Sequence, residues 1–386
     1  MTEIVTETLQ DSIFFKILQK TPSLDLRDER GKELNLPIFL IGLLLALLRH
    51  KDGNLSRIHR SMKNKHTELL LALDIENERV VSRSHMPILL KKVSGDVFSS
   101  LVFEHFGVKL SQSTKEWFGI DGKELRGSIL AGHRRGQAVV PVVRHSDKSI
   151  LVQHYYNGSK ESERPTVANL LKTTGVGSQN ISLDALHFVP NTLEVVVEAG
   201  GNYLVGLKEN QELLFNAMSE EMSKCLNPDF ELISQEKGHG RQEMRHYKCL
   251  NIEDHDLDQR WSGSNLSTLI AVSRIRLENK RGKYSQEIAL YMSNIKATTQ
   301  VIANDLFQAV RGHWSSEVYN NIRDTTLAED KLKTCIKEIS INISICRTLV
   351  ISILNKIKPE NMAALLDEFS DDFQLLISKL KTIRVL

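Results

Sequence analysis

A chain of 386 residues with 41% hydrophobic and 25% charged residues has the apolar content to build a folded core, and 21 glycines and 8 prolines are too few for a collagen-like or low-complexity chain. At roughly 100–200 residues per domain the length predicts two or three units. The 50 Lys and Arg against 48 Asp and Glu leave a net charge of +2, so composition alone carries no nucleic-acid footprint and any basic face must be local.

Cys225, Cys249, Cys335 and Cys346 form no CxxC pair and have no His at ligand spacing, which argues against a zinc site and for free thiols in a reducing compartment. Residues 1–10 are acidic and lack an apolar core, so they do not read as a secretory signal, and a cytoplasmic protein is expected. The most apolar run, Ile38 to Leu48, falls short of the roughly 20 residues that cross a bilayer and is closed by Arg49, His50 and Lys51. It predicts a buried helix and no membrane partner.

From Asp11 to about Gln112 apolar residues recur three and four apart, which predicts an all-helical unit over residues 1–112. Within it Arg49, Lys51, Arg57, Arg60, Lys63 and Lys65 form a basic stretch suited to phosphates or to a solvated face. Near Lys115 the period changes. Trp117 to Ile120, Ala138 to Val143 and Ile150 to Tyr156 read as three consecutive antiparallel strands. A helix from Pro165 to Thr173, a strand from Asn180 to Leu186, a helix from Thr192 to Ala199 and a strand from Tyr203 to Leu207 follow, giving a mixed α/β sheet. The polar region from Lys208 to Ala297 carries two strand-like runs, Thr268 to Ile275 and Ile288 to Tyr291, and the glycine-rich basic segment Lys237 to Arg241. Helical pattern returns from Thr298 to Val318 and from Leu327 to Lys356, and Met362 to Leu386 reads as an amphipathic tail. The expected division is 113–214 with 297–360 as the α/β core, 215–296 as an insertion within it, and 361–386 as a helical tail.

Asp121 follows the first strand, Asp184 ends a later one, and Glu317 sits on a helix beyond the insertion. Two strand ends and a helix can bring three carboxylates together across such gaps. Hard oxygen donors of this kind suit Mg2+ or Mn2+, and two such ions in one site support phosphoryl transfer. Each residue also has a plainer reading: Asp121-Gly122 as a turn, Asp184 as a helix cap, and Glu317 as a solvated helical residue.

The runs Ile120 to Ser128 (IDGKELRGS) and Ser182 to His187 (SLDALH) resemble the first two Asp motifs of the DDE transposases of the H-repeat-associated, ISAs-type insertion-sequence family. In matching order, Tyr203 to Gln211 is similar to that family's strand ending in Lys-x-Asn-Gln, and His239 to Arg245 to its HGRxExR segment. Arg311 to Glu317 resembles the helix bearing the third acid, and Asp25 to Lys32 the DxRDxRGK word of its helical domain. The likeness runs from about residue 11 to 356.

The resemblance implies an RNase H-like catalytic core with a β-containing insertion, preceded by a helical domain that binds DNA ends. It implies DNA cleavage and strand transfer at insertion-sequence ends, with Asp121, Asp184 and Glu317 holding two Mg2+ or Mn2+ ions. DNA contacts are expected at Lys123, Arg126, His187, Lys208, Asn210, Gln211, Arg241, Arg245, His313 and Trp314, by a homodimer on DNA in the cytoplasm at the nucleoid. After Glu317 the chain departs from the family pattern with Val318-Tyr319-Asn320-Asn321, although Arg323 to Asp330 resembles its RDxTxxED segment. Val310, His313 and Asp324 occupy the Tyr, Arg and Lys places of the signature of hairpin-forming transposases, so no hairpin intermediate is inferred. A decayed relative that binds DNA without cutting it and a site-specific nuclease are the alternatives.

Overall fold

The computed structural model describes residues 13–50, 54–111, 113–238, 240–252, 257–278 and 282–386. The reading of residues 1–10, Lys51 of the basic stretch and His239 of the HGRxExR word lie outside them.

Among the described residues six α-helices come first: α1 (Phe14–Gln19), α2 (Leu36–Arg49), α3 (Leu55–Asn64), α4 (His66–Leu73), α5 (Met86–Lys91) and α6 (Gly95–Phe106). Asn35 caps α2 by accepting from the Ile38 N–H, with Pro37 in the first turn, and the helix then runs almost wholly buried from Leu36 to Leu48. A helix apolar on all sides belongs inside a core, as expected of this run.

The sheet begins with β1 (Trp117–Ile120), β2 (Lys123–Glu124), β3 (Ala138–Arg144) and β4 (Ile150–Tyr156). β3 pairs antiparallel with β1 and with β4, giving the three antiparallel strands that the sequence predicts, and the short β2 pairs with the start of β3. Next come α7 (Lys160–Thr173), β5 (Asn180–Leu183), α8 (Pro190–Glu198) and β6 (Asn202–Leu207). β1, β5 and β6 lie side by side and parallel. The helix expected from Pro165 starts five residues earlier, capped by Ser159, whose side chain accepts from Ser162, and Pro165 sits inside it.

The insertion holds α9 (Glu212–Lys224) and four long strands, β7 (Phe230–Gly238), β8 (Arg241–Asn251), β9 (Thr268–Glu278) and β10 (Lys283–Ser293). Only β9 and β10 are marked by apolar runs; β7 is mostly exposed and β8 alternates, so neither shows as a hydrophobic segment. β10 pairs antiparallel with β6, so these strands extend the same sheet, in the order β4-β3-β1-β5-β6-β10-β9-β8-β7. Alternation sorts each strand between two layers: Tyr203, Val205 and Leu207 face the core under α7 and α8, whereas Leu204 joins Ile270, Val272 and Phe307 on the opposite face.

The chain ends in α10 (Gln300–Gly312), α11 (Trp314–Asn321), α12 (Lys337–Ile357), α13 (Met362–Asp371) and α14 (Phe373–Thr382). The helix expected from Leu327 starts ten residues later, because residues 327–336 are taken up by an irregular, ion-paired segment. α12 is long and apolar enough by length and composition to cross a bilayer, yet most of it is buried against α2, α5 and α6. Leu366, Phe369, Phe373 and Leu376 of the tail share one apolar cluster with α1, α2 and α12, and the Phe14 N–H donates to the Arg384 carbonyl. The tail is thus built into the helical body.

Candidate active site

β1 and β5 run parallel with Ile120 opposite Leu183, so Asp121 and Asp184 leave the same edge of the sheet from adjacent strands. Carboxyl ends of parallel strands are where open α/β sheets place their sites. α11 packs across β1 and β3 and brings Glu317 to this edge. Asp121 senses the acids around it: burial, then the charges of Asp184, Glu163 and Glu317, push its carboxyl up to about 7. Burial raises Glu317 as well, while Arg274 and Lys208 pull it down. Among the described residues no three His, Cys, Asp or Glu side chains are drawn together tightly enough to hold a metal ion as they stand. The donor chemistry nonetheless fits a hard cation, since the acids offer only oxygens and Asp121 carries the mutual repulsion that a divalent charge relieves.

The plainer roles are partly realised too. Asp184 Oδ1 accepts from the Leu186 N–H at 3.1 Å and caps a short 3-10 turn, Ala185–His187, while its carboxylate stays 44% exposed. Asp121-Gly122 is not a left-handed turn. A Cβ on Gly122 would stand 2.6 Å from the Glu163 carboxyl and from the Tyr156 hydroxyl, so a side chain there would have to displace this hydrogen-bonded pair.

Glu163 is the residue that sequence reasoning missed. It accepts from the Tyr156 hydroxyl at 2.7 Å, and His187 Nε2 lies 3.3 Å from its Oε1 and 3.8 Å from Asp184 Oδ1. His187 is fully buried, with Nδ1 lacking a hydrogen-bond partner. The Ser159 cap was the available signal: a helix started there puts Glu163 on its first turns.

In Escherichia coli (strain K12), Putative protein YbfL is 28% identical to the chain over 229 residues, which is 58% of this chain and 60% of that protein. The H repeat-associated putative transposase YhhI of the same strain is 27% identical over an equal stretch with the same coverage. A third protein of that strain, the H repeat-associated putative transposase YbfD, is 27% identical over 151 residues, 38% of this chain and 60% of its own length. The chain is related to the H repeat-associated transposases. It spans about 60% of the length of the curated relatives it matches. No family model matches it.

The runs that resemble the transposase motifs have distinct places in the fold. Lys208 follows β6 and is exposed, near enough to Glu317 to pull its carboxyl down. Asn210 and Gln211, expected on DNA, spend their amides on the backbone: Asn210 donates to the Ala185 carbonyl at 2.7 Å and Gln211 to that of Phe188 at 2.8 Å. They tie down the loop that carries Asp184.

Lys123, also expected on DNA, is only 7% exposed and its Nζ lies 2.7 Å from Asp324, 3.3 Å from Asp330 and 3.8 Å from Glu329. Arg126 is exposed at the edge of this group, 3.9 Å from Asp330. The RDxTxxED word is therefore an ion network behind the site. Arg323 and Glu329 are buried together at 2.7 Å; burial pushes the Glu329 carboxyl up, and the Arg323 guanidinium outweighs it and holds it at about 2. The network begins within a π turn, Ile322–Thr326, directly after α11 and so anchors the helix bearing Glu317.

His313 turns inward. Its Nδ1 is 2.9 Å from the buried Ser182 Oγ, which also meets His145 Nε2 at 2.8 Å. Burial lowers the pKa of both histidines, that of His145 to about 3, so both are neutral pins between α11 and the sheet. A Cβ on Gly312 would strike His145 Nδ1 at 2.2 Å, which fixes glycine before His313.

Arg241 and Arg245 lie on β8, and both pair with the buried Glu243. With Arg274, Arg276, Arg311 and Trp314 they line an open groove of about 860 Å3 between the β7–β8 hairpin and α11.

Proposed function

We propose that the chain is a DDE transposase with an RNase H-like core, cleaving DNA at insertion-sequence ends and joining the cut strand to target DNA. The observation that carries this reading is that Asp121 and Asp184 leave one sheet edge from adjacent parallel strands, with Glu317 near enough for its charge to act on Asp121. The strand order β4-β3-β1-β5-β6, antiparallel at β3 and parallel from β1 to β6, supports the fold assignment.

In this reading Asp121, Asp184 and Glu317 hold two divalent ions, magnesium or manganese. When bound, such ions supply Lewis-acid stabilisation of charge on the reacting phosphate and lower the pKa of a coordinated water or hydroxyl. The chain's own residues supply positioning. Asn210 and Gln211 fix the Asp184 loop, the Arg323–Glu329 pair anchors the Glu317 helix, and His187, held against Glu163, lies 3.8 Å from Asp184. Lys208 adds a cation at the mouth, where a phosphate would approach.

DNA ends and target DNA are the partners. Joining two ends implies a dimer on DNA, acting in the cytoplasm at the nucleoid.

Asp184→Asn is expected to abolish magnesium-dependent cleavage of DNA carrying the element's own ends while leaving DNA binding intact. Undiminished cleavage by this variant contradicts the assignment. Binding without cleavage by the unaltered protein supports the second reading, a relative that binds DNA without cutting it, which the loose spacing of the acids favours.

A further inference from the structure

The groove beside α11 combines two features rarely found together on a surface that binds only double helix. Trp314 is 51% exposed on its wall, and guanidinium groups surround it. The guanidiniums are held in place. Glu243, only 6% exposed, sits among Arg241, Arg245 and Arg276; Glu236 pairs with Arg311 at 2.6 Å and with Arg245 at 3.3 Å; and Glu287 pairs with Arg274 at 2.8 Å. Five guanidiniums thus share three carboxylates, leaving positive charge in excess and N–H donors unspent in a preset array. Lys148 and Lys237 line the rim and add to that excess.

The groove also lies beside Glu317. Trp314 stands one helical turn before Glu317, and Arg274 acts on the Glu317 carboxyl. A stacked double helix offers no base face at its side, whereas an unpaired base does, and an exposed indole among phosphate-binding donors matches single-stranded nucleic acid.

We propose that this groove receives an unpaired nucleotide of the DNA strand being processed, its base stacked on Trp314 and its flanking phosphates held by Arg274, Arg276 and Arg311. This rests on the reading that the chain acts on DNA, and it adds that the DNA end is opened next to Glu317.

The test uses the full chain in EDTA, so that no cleavage is needed, with a fluorescent thymidine oligonucleotide and a hairpin duplex of equal length as probes. Trp314→Ala is expected to weaken oligothymidine binding by about tenfold, in line with the loss of one base–aromatic stack, and to leave duplex binding within about twofold. Trp314→Phe should recover most of the loss. Oligothymidine should also quench the tryptophan fluorescence of the unaltered protein, and that quenching should vanish in Trp314→Ala, because Trp261 is buried and Trp117 is stacked on His145. Equal losses on both probes, or no loss on either, overturn the proposal. Neither result touches the assignment of Asp184, which is decided by cleavage in magnesium.

Discussion

The side-chain amide of Asn210 donates to the backbone carbonyl of Ala185 at 2.7 Å, joining the end of β6 to the turn that carries Asp184. A neutral hydrogen bond of this kind contributes about 1 kcal/mol, so Asn210→Ala should lower global stability only slightly. Amide exchange at Leu186, His187 and Phe188 should nonetheless quicken, and any activity depending on Asp184 should fall more than stability does. Lys208→Ala, two residues away on an exposed side chain, should leave that exchange unchanged.

Lys123 is buried among Asp324, Glu329 and Asp330, so Lys123→Met removes a cation that three carboxylates share, leaving Glu329 with Arg323, Asp330 with the exposed Arg126 and Asp324 without its ion pair. Removing one member of a buried ion pair costs about 3–5 kcal/mol, and water reaching Asp324 and Asp330 should bring the loss to the lower end or below it. Arg126→Ala should shift stability by no more than about 0.5 kcal/mol. Denaturant titrations of the two variants separate a structural lysine from a surface arginine.

Acid should unfold the protein partly through His145. Its folded pKa, about 3, lies below its ordinary 6.5, so the folded state binds fewer protons than the unfolded state between those values. The stability it contributes is complete above about 6.5 and is lost as the pH falls toward 3; His313, also lowered by burial, adds to the same trend. His145→Gln should flatten the fall in the denaturation midpoint across this window, whatever it does to stability at neutral pH.

Gly122→Ala should be more harmful than its size suggests, since the new methyl meets the Glu163 carboxyl and the Tyr156 hydroxyl at 2.6 Å. Tyr156→Phe in the same chain removes one of the two obstacles and should restore part of the lost melting temperature. Additive losses would mean that the glycine serves another purpose.

The sequence made the sheet legible where apolar runs are short and β-branched, as in Val139 to Val143, and it placed the acids by the words around them rather than by their own chemistry. What it hid has physical causes. β7 and β8 face water on one or both sides, so their residues carry no apolar signal. Pro165 drew the start of α7 too far along and left Glu163 in an imagined loop. Lys123, Asn210, Gln211 and His313 are polar residues near a strand end or helix start, which suggests contact with a ligand. Their actual partners, Asp324, Ala185, Phe188 and Ser182, are 23 to 201 residues distant, and only the fold brings them into reach.

Manganese binding to the metal-free protein, followed by the loss of the free-ion electron paramagnetic resonance signal, tests most directly whether Asp121, Asp184 and Glu317 form one site. The unaltered chain should bind the ion, and Asp121→Asn, Asp184→Asn and Glu317→Gln should each weaken that binding by at least about tenfold, while Glu338→Gln, distant on α12, should not. Binding that survives all three substitutions unchanged would contradict a shared carboxylate site at the edge of the sheet.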